Sequence, residues 1–462
     1  MNKVERLLGS PIGAVIARPW MDGAVLGFLT HWFFPLSRLW AAARAAHGSP
    51  SKFLAEVPLA AQPTGESLLI PVLDEFEVYR AAASAAERQW EAAFFSGGHV
   101  GPTGLHDIER ERLKCRAKYN SMRRNFSFLR RGNDIPSIRW DLRSPIQTAV
   151  DYARAMRYPQ QVFSPPEAMP QVQASESYVD GYGRHYWLRF LSPSEKMADT
   201  VTARVLEPLG VVDPPTVIFL NGICVEFDHW NGMINDVGEL SRNGVRTIRV
   251  EAPWHGRRVA DGRYGGEKFI GTMPLGSLEY FSAQVREISV LMDWCRSRSD
   301  KPVALGGSSL GAHVARLIAT RSRNWRTSLQ PDALLLITPC EKIEDAAIHG
   351  AFANVWKTAE NSVEIGWTPE LRDKFFRQLD PLENPCVPAD RTIAVLGTHD
   401  RVTPFPSGQR LVERLQLPSE NIYIRRQGHF STPVNLMRDK APLTRFCQLL
   451  NGSPPRAAKR VH

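Results

Sequence analysis

The sequence predicts an α/β architecture, built on a mainly parallel sheet with helices on both faces, across residues 176–450. Three observations carry that expectation. After residue 175, short apolar and β-branched runs alternate with helical stretches, the texture of repeated strand–helix units. The later runs read as fully buried strands, as parallel strands covered on both faces do. Residues suited to chemistry fall in the loops directly after such runs, at the strand ends where open parallel sheets bind ligands.

The elements follow in order. Residues 1–175 read as a helical and irregular extension. Within it RAAASAAERQWEAAFF (80–95) is rich in good helix formers. Residues 106–130 predict one long basic helix ending near Gly132-Asn133-Asp134. A proline patch follows at Pro165, Pro166 and Pro170. Strands are expected at 185–191, 201–206, 216–220, 245–250, 302–306, 333–338, 392–397 and 421–426, the first two as an antiparallel pair. A long helix is expected over 277–297. Residues 340–388 interrupt the strand pattern with a helical cap insertion that carries Trp356, Trp367, Phe375 and Phe376. Residues 451–462 form a basic tail.

With 462 residues, 43% hydrophobic and 23% charged, the chain is neither disordered nor fibrous, and it is long enough for a large core. The net charge of +9 is mild and does not imply nucleic acid. Residues 104–131 hold nine Lys/Arg against Asp107, Glu109 and Glu111, which reads first as a solvated helix face and second as a surface for an acidic partner. The six cysteines show no C-x-x-C spacing and no zinc pattern, so a reducing, cytoplasmic setting is expected and no metal. The N-terminus lacks the features of a secretory signal, with Glu5, Pro11 and Arg18 interrupting it. The uncharged run GAVLGFLTHWFF (23–34) is shorter than the roughly 20 residues a spanning helix needs. It is open to two readings, a buried helix or an interfacial anchor in peripheral contact with a membrane.

The strongest motif is Gly307-Ser308-Ser309-Leu310-Gly311. It fits G-x-S-x-G, follows an apolar strand and opens a helix with Val314, Leu317 and Ile318 on one face. That context raises a serine hydroxyl above the sheet and points helix N–H groups at a developing oxyanion. Ser309 is the expected nucleophile; Ser308 lacks the glycine two residues on.

A serine hydroxyl needs a base, and the base an orienting acid. Asp400 follows the strand run 392–397, and His429 follows the last strand run. They are the expected acid and base, with Glu341 and Asp345 as reserve acids and His399 as a loop residue. Asn221-Gly222 closes the strand 216–220, and Gly222 permits close backbone approach. The N–H of Ile223, with Cys224 as an alternative, and that of Leu310 are the expected oxyanion donors. Trp254, His255 and Arg257 sit at the end of the next strand and are expected to meet substrate, with Arg257 and Arg258 either holding an anionic group or fastening the loop.

These residues resemble the α/β-hydrolase superfamily over roughly residues 180–450. The loop from Gly222 to Asp228-His229, with Pro253-Trp254-His255-Gly256-x-Arg258, is similar to the family of α/β-hydrolase domain-containing protein 18. The superfamily resemblance implies an eight-stranded, mostly parallel sheet with a cap inserted before the acid loop. The expected activity is hydrolysis of carboxylic esters, lipophilic ones in particular given the Trp/Phe-rich insertion. No cofactor is expected, and the partner is a small-molecule substrate. Acyl transfer with the same three residues, a binding protein on the same fold, and a peptidase are the rival readings.

Overall fold

The computed structural model describes residues 10–57, 65–97, 100–130, 134–224, 236–380 and 383–452. A ten-stranded sheet runs through it. Its strands are β1 (Gln173–Ala174), β2 (Tyr178–Asp180), β3 (Gly183–Leu191), β4 (Thr200–Glu207), β5 (Thr216–Leu220), β6 (Arg246–Val250), β7 (Val303–Ser308), β8 (Leu334–Ile337), β9 (Thr392–Gly397) and β10 (Ile422–Arg425). The order across the sheet is β1-β3-β4-β6-β5-β7-β8-β9-β10, with β2 paired to β3. β3 with β4 and β4 with β6 are antiparallel. Every pairing from β6 to β10 is parallel. All eight expected strands are present, and the architecture is the α/β-hydrolase fold. The sheet exceeds the eight strands expected because β1 and β2, of two and three residues, extend its antiparallel edge.

The central parallel strands β5, β8 and β9 are buried along their whole length because helices cover both faces of the sheet there. Along β5, Ile218 and Leu220 enter one core while Val217 and Phe219 enter the other, the two-residue period of a pleated strand. Phe281 and Ile288 of helix Leu275–Arg296 and Val314 and Leu317 of helix Leu310–Arg321 close the first core. Leu240, Leu443 and Phe446 close the second.

The N-terminal extension packs into the first of these cores. Helix Phe34–Ala46 contributes Leu39 and Trp40 to it, and helix Gly65–Phe95 contributes Leu73 and Phe76. Farther along, Trp90 meets Trp187 of β3 edge to face, with ring centres 5.2 Å apart. The expected basic helix divides into helix Pro102–Ser121 and a 3-10 segment, Met122–Arg130. Its charge is partly interior, not simply a solvated face. Arg112 is buried on Glu109 at 2.8 Å and lies over the Trp90 ring, and Arg123 is buried over Trp40. A charge is retained inside only where a carboxylate or a ring face receives it.

The uncharged run at 23–34 lies in helix Pro19–Phe28, a π-helical turn Leu29–Phe33 and the start of helix Phe34–Ala46. Phe34 is buried, whereas Trp20 (59% exposed), Phe28 (57%) and Trp32 (48%) face outward. Among the described residues no helix is long and apolar enough to cross a membrane. Between β8 and β9, the described residues form four α-helices, Ile343–Ala347, Ala351–Trp356, Thr358–Glu364 and Pro369–Phe376, and a 3-10 turn, Ala389–Arg391.

Candidate active site

The chain leaves β5 toward β6 on one side, while β7 pairs with β5 on the other. Connections therefore diverge at the carboxyl ends of β5 and β7 and open a crevice there. Ser309 sits at the end of β7 with φ 56° and ψ −121°, a backbone conformation that costs a non-glycine residue on the order of 1–3 kcal/mol. The surroundings impose it. The Ser309 N–H donates to Ile337 O at 2.9 Å, and helix Leu310–Arg321 starts at the next residue. The flanking glycines allow the sharp turn. A Cβ on Gly307 would lie 2.3 Å from the Gly311 backbone, and one on Gly311 would lie 2.1 Å from Leu220 O.

Asp400 and His429 come together from neighbouring strands. β9 and β10 are paired in parallel, and the pairing continues past their ends: Thr398 N–H donates to Arg425 O and His399 N–H to Gln427 O, both at 2.9 Å. This zipper brings Asp400 Oδ2 to 2.8 Å from His429 Nδ1. The other carboxylate oxygen accepts the N–H groups of Val402 at 2.9 Å and Thr403 at 3.0 Å. Thr403 Oγ1 stands 2.9 Å from Asp400 Oδ2 and 3.1 Å from His429 Nδ1. The carboxylate is thus held on all sides, and because it can only accept, the imidazole donates to it through Nδ1. Among the described residues no hydrogen bond joins Ser309 Oγ to His429, a contact that often tightens only with substrate bound.

The β5 loop lies against Ser309: a Cβ on Gly222 would be 3.4 Å from Ser309 Cβ. The Cys224 N–H is not available to a ligand, because it donates to His255 Nε2 at 3.0 Å. His255 Nδ1–H in turn donates to Pro253 O at 2.8 Å, which fixes a neutral tautomer. Buried at 2% exposure, His255 therefore props the β5 loop from behind. That leaves Ile223 and Leu310, whose N–H groups have no acceptor among the described residues. Both residues line the cavity beside Ser309.

Trp254 and Arg257 turn away from that cavity. Trp254 is buried, tilted against Tyr280 at 6.3 Å, with Lys268 Nζ 4.8 Å from its ring centre. Arg257 Nε donates to Glu87 Oε1 at 2.6 Å and its guanidinium covers Trp90, so it fastens this loop to the N-terminal helices. Arg258 fastens it to the core: Nη1 meets Glu287 Oε2 and Nε meets Asp199 Oδ2, at 2.9 and 2.8 Å. Those carboxylates hold the buried guanidinium above its usual pKa.

The cavity has a volume of about 70 Å³. Phe269, Ile270 and Met273 form one wall, and Ala347, Phe352 and Trp356 from the insertion form the other. Phe352 and Trp356 stack at 5.0 Å, and Phe34 backs them edge-on at 5.6 and 5.2 Å. His313, one turn along from Ser309, is also part of the lining. Burial holds it well below the ordinary histidine range, and its neutral ring donates to Leu379 O at 3.2 Å.

No protein-family model and no curated protein matches this chain. The similarity to the α/β-hydrolase domain-containing protein 18 family thus has no sequence match behind it, and its Asp228-His229 lie outside the described residues. Solved structures similar to this chain include an acetyl xylan esterase from Paenibacillus sp. R4, 16% identical, with a TM-score of 0.47 over 67% of this chain and 96% of that one. Another is a 2,6-dihydroxy-pseudo-oxynicotine hydrolase, 14% identical, with a TM-score of 0.42 over 90% of this chain and 97% of that one. A third is the carboxylesterase EstE1 from a metagenomic library, 14% identical, TM-score 0.37, over 68% and 99%. The strand order defines the fold; none of these neighbours carries its substrate over to this chain.

Two features of the site lay outside the sequence reading. Thr403, beside both Asp400 and His429, had one local signal: an Asp-x-x-Thr spacing that allows a carboxylate to cap its own turn. The other is Phe352, which joins Trp356 of the aromatic-rich insertion in the cavity wall and had only its aromatic type to mark it.

Proposed function

We propose that this chain is a serine hydrolase that cleaves carboxylic esters carrying a short apolar acyl group. The observations that carry the reading are the Asp400–His429 contact of 2.8 Å and a serine in a strained strand-to-helix turn that lines one cavity with Thr403, the residue touching both members of that pair. Ser309 Oγ attacks the ester carbonyl carbon as His429 Nε2 takes its proton. The N–H groups of Ile223 and Leu310 receive the charge that develops on the carbonyl oxygen. The tetrahedral intermediate collapses, His429 gives the proton to the departing alcohol, and the acyl group stays on Ser309. Water then attacks the acyl carbon as His429 Nε2 takes its proton, the bond from that carbon to Ser309 Oγ breaks, His429 returns the proton to Oγ, and the acid is released. Throughout, Asp400 keeps the imidazole in the tautomer this sequence needs.

The cavity refines the expected lipophilic preference. Its lining is apolar, but about 70 Å³ is far below the roughly 300–1,000 Å³ of pockets for larger ligands. The acyl group it suits is therefore short. With p-nitrophenyl esters from acetyl to palmitoyl, kcat/KM peaks between acetyl and butyryl and falls beyond. Phe352→Ala moves the optimum to longer chains by removing a wall. Rates that rise steadily to palmitoyl overturn the short acyl site; no serine-dependent turnover of any ester overturns the hydrolase reading.

A further inference from the structure

We propose that Asp22, on the N-terminal helix Pro19–Phe28, is a positioning residue that fixes the loop carrying His429, so that the N-terminal segment is a working part of the hydrolytic site. The inference rests on the reading of His429 as general base. Asp22 is the only acidic residue between Glu5 and Glu56, in a stretch whose other charged side chains are all basic. Its carboxylate is directed inward, 408 positions along the chain, onto the base loop. Oδ1 accepts the N–H of Phe430 at 2.6 Å and that of Ser431 at 3.2 Å, and Oδ2 accepts the Ser431 hydroxyl. The Ser431 oxygen accepts the Gly428 N–H at 2.8 Å. The residues on either side of His429 thus hang from one carboxylate. Gly428 leaves room for it: a Cβ there would lie 2.5 Å from Asp22 Cγ and 2.7 and 2.8 Å from its oxygens. Just upstream, Gln427 Nε2 donates to Ala17 O at 3.2 Å, a second tie to the same segment.

The base loop needs such a hold. β10 ends at Arg425 and the helix that follows, Ser431–Asn435, has five residues. Asp400 and Thr403 grip the imidazole at Nδ1, but one hydrogen bond leaves a ring free to swing about it. The ties from Asp22 fix the backbone on either side of the ring, and so the direction in which Nε2 points. A displacement of about 1 Å in a reacting group costs on the order of 10²-fold in rate.

The test compares wild type with Asp22→Ala, Asp22→Asn, Gly428→Ala and the Asp22→Ala/Gly428→Ala double variant. The rate of phosphonylation of Ser309 by a fluorophosphonate is read beside kcat and KM for p-nitrophenyl acetate, with thermal melting and active-site titration reporting the folded fraction. Asp22→Ala lowers kcat and the phosphonylation rate per titrated site by about 100-fold while KM holds. Asp22→Asn, which keeps an oxygen for the two N–H groups, falls between. Gly428→Ala drives a methyl into the carboxylate and slows the enzyme when Asp22 is present; when Asp22 is gone it adds little, so the two changes are not additive. An unchanged rate per titrated site in Asp22→Ala, or purely additive effects in the double variant, overturns the clamp while the hydrolase reading stands. A wild-type Ser309 that does not react with the fluorophosphonate overturns that reading and the clamp with it.

Discussion

Ser309→Ala lowers kcat by about 10⁶-fold and leaves the melting transition where it was. The loss is large because the three groups act as a unit: without an attacking oxygen, proton transfer to His429 has no reaction to serve. What remains is catalysis by binding and by the two N–H groups, on the order of 10³-fold over water. Stability is unaffected because the Ser309 hydroxyl has no hydrogen-bond partner among the described residues, so alanine strands no buried group. The backbone N–H that anchors the turn to Ile337 is retained. Turnover of p-nitrophenyl acetate and a melting curve check both halves. Wild-type turnover in Ser309→Ala, with loss in Ser308→Ala, would move the nucleophile one residue back.

Much of the framework was legible in the sequence, for a physical reason. Strands buried on both faces must be apolar throughout, so TVIFL, ALLLIT and TIAVLG stand out from their surroundings. Chemistry on a parallel sheet sits in the loops after such strands, so Ser309, Asp400 and His429 stand out as candidates by position as well as by type. The structure brings Asp400 and His429 into contact, and places Ile223 and Leu310 together beside Ser309.

What could not be read was set by partners distant in sequence. Arg257 is an exposed-looking cation in a site loop until Glu87 and Trp90, far upstream, receive it. His255 has the look of a reactive histidine, yet both its nitrogens are spent holding the β5 loop. Arg112 and Arg123 belong to a basic run that reads as solvated, because the rings that cover them lie on other helices. The two-residue and three-residue strands at the sheet edge are too short to carry any period. Asp22 has no local pattern at all, since its partners, two backbone N–H groups and the Ser431 hydroxyl, lie some four hundred residues away.

Asp400→Asn leaves KM nearly unchanged and lowers kcat by about 10⁴-fold. The amide oxygen replaces Oδ1 and still accepts the N–H groups of Val402 and Thr403, so the turn keeps its shape. The amide nitrogen then faces His429 Nδ1, and two donors cannot share that contact. The imidazole therefore gives up its Nδ1 proton and carries it on Nε2, where Ser309 needs an acceptor. The positive charge that develops on the ring during attack also loses the carboxylate that offsets it. Geometry is preserved while chemistry fails, so an Asp400→Asn variant that melts like wild type but turns over slowly is the discriminating result. The reserve acids are poorly placed to substitute. Glu341 is held by Arg410 and Arg414 at 3.0 and 3.2 Å, and Asp345 by Arg410 at 2.9 Å. A negligible effect of Asp400→Asn would remove Asp400 from the mechanism and reduce its 2.8 Å contact with His429 to a structural one. Glu341 or Asp345 would then have to leave its arginines to serve, and Glu341→Gln and Asp345→Asn would show which one does.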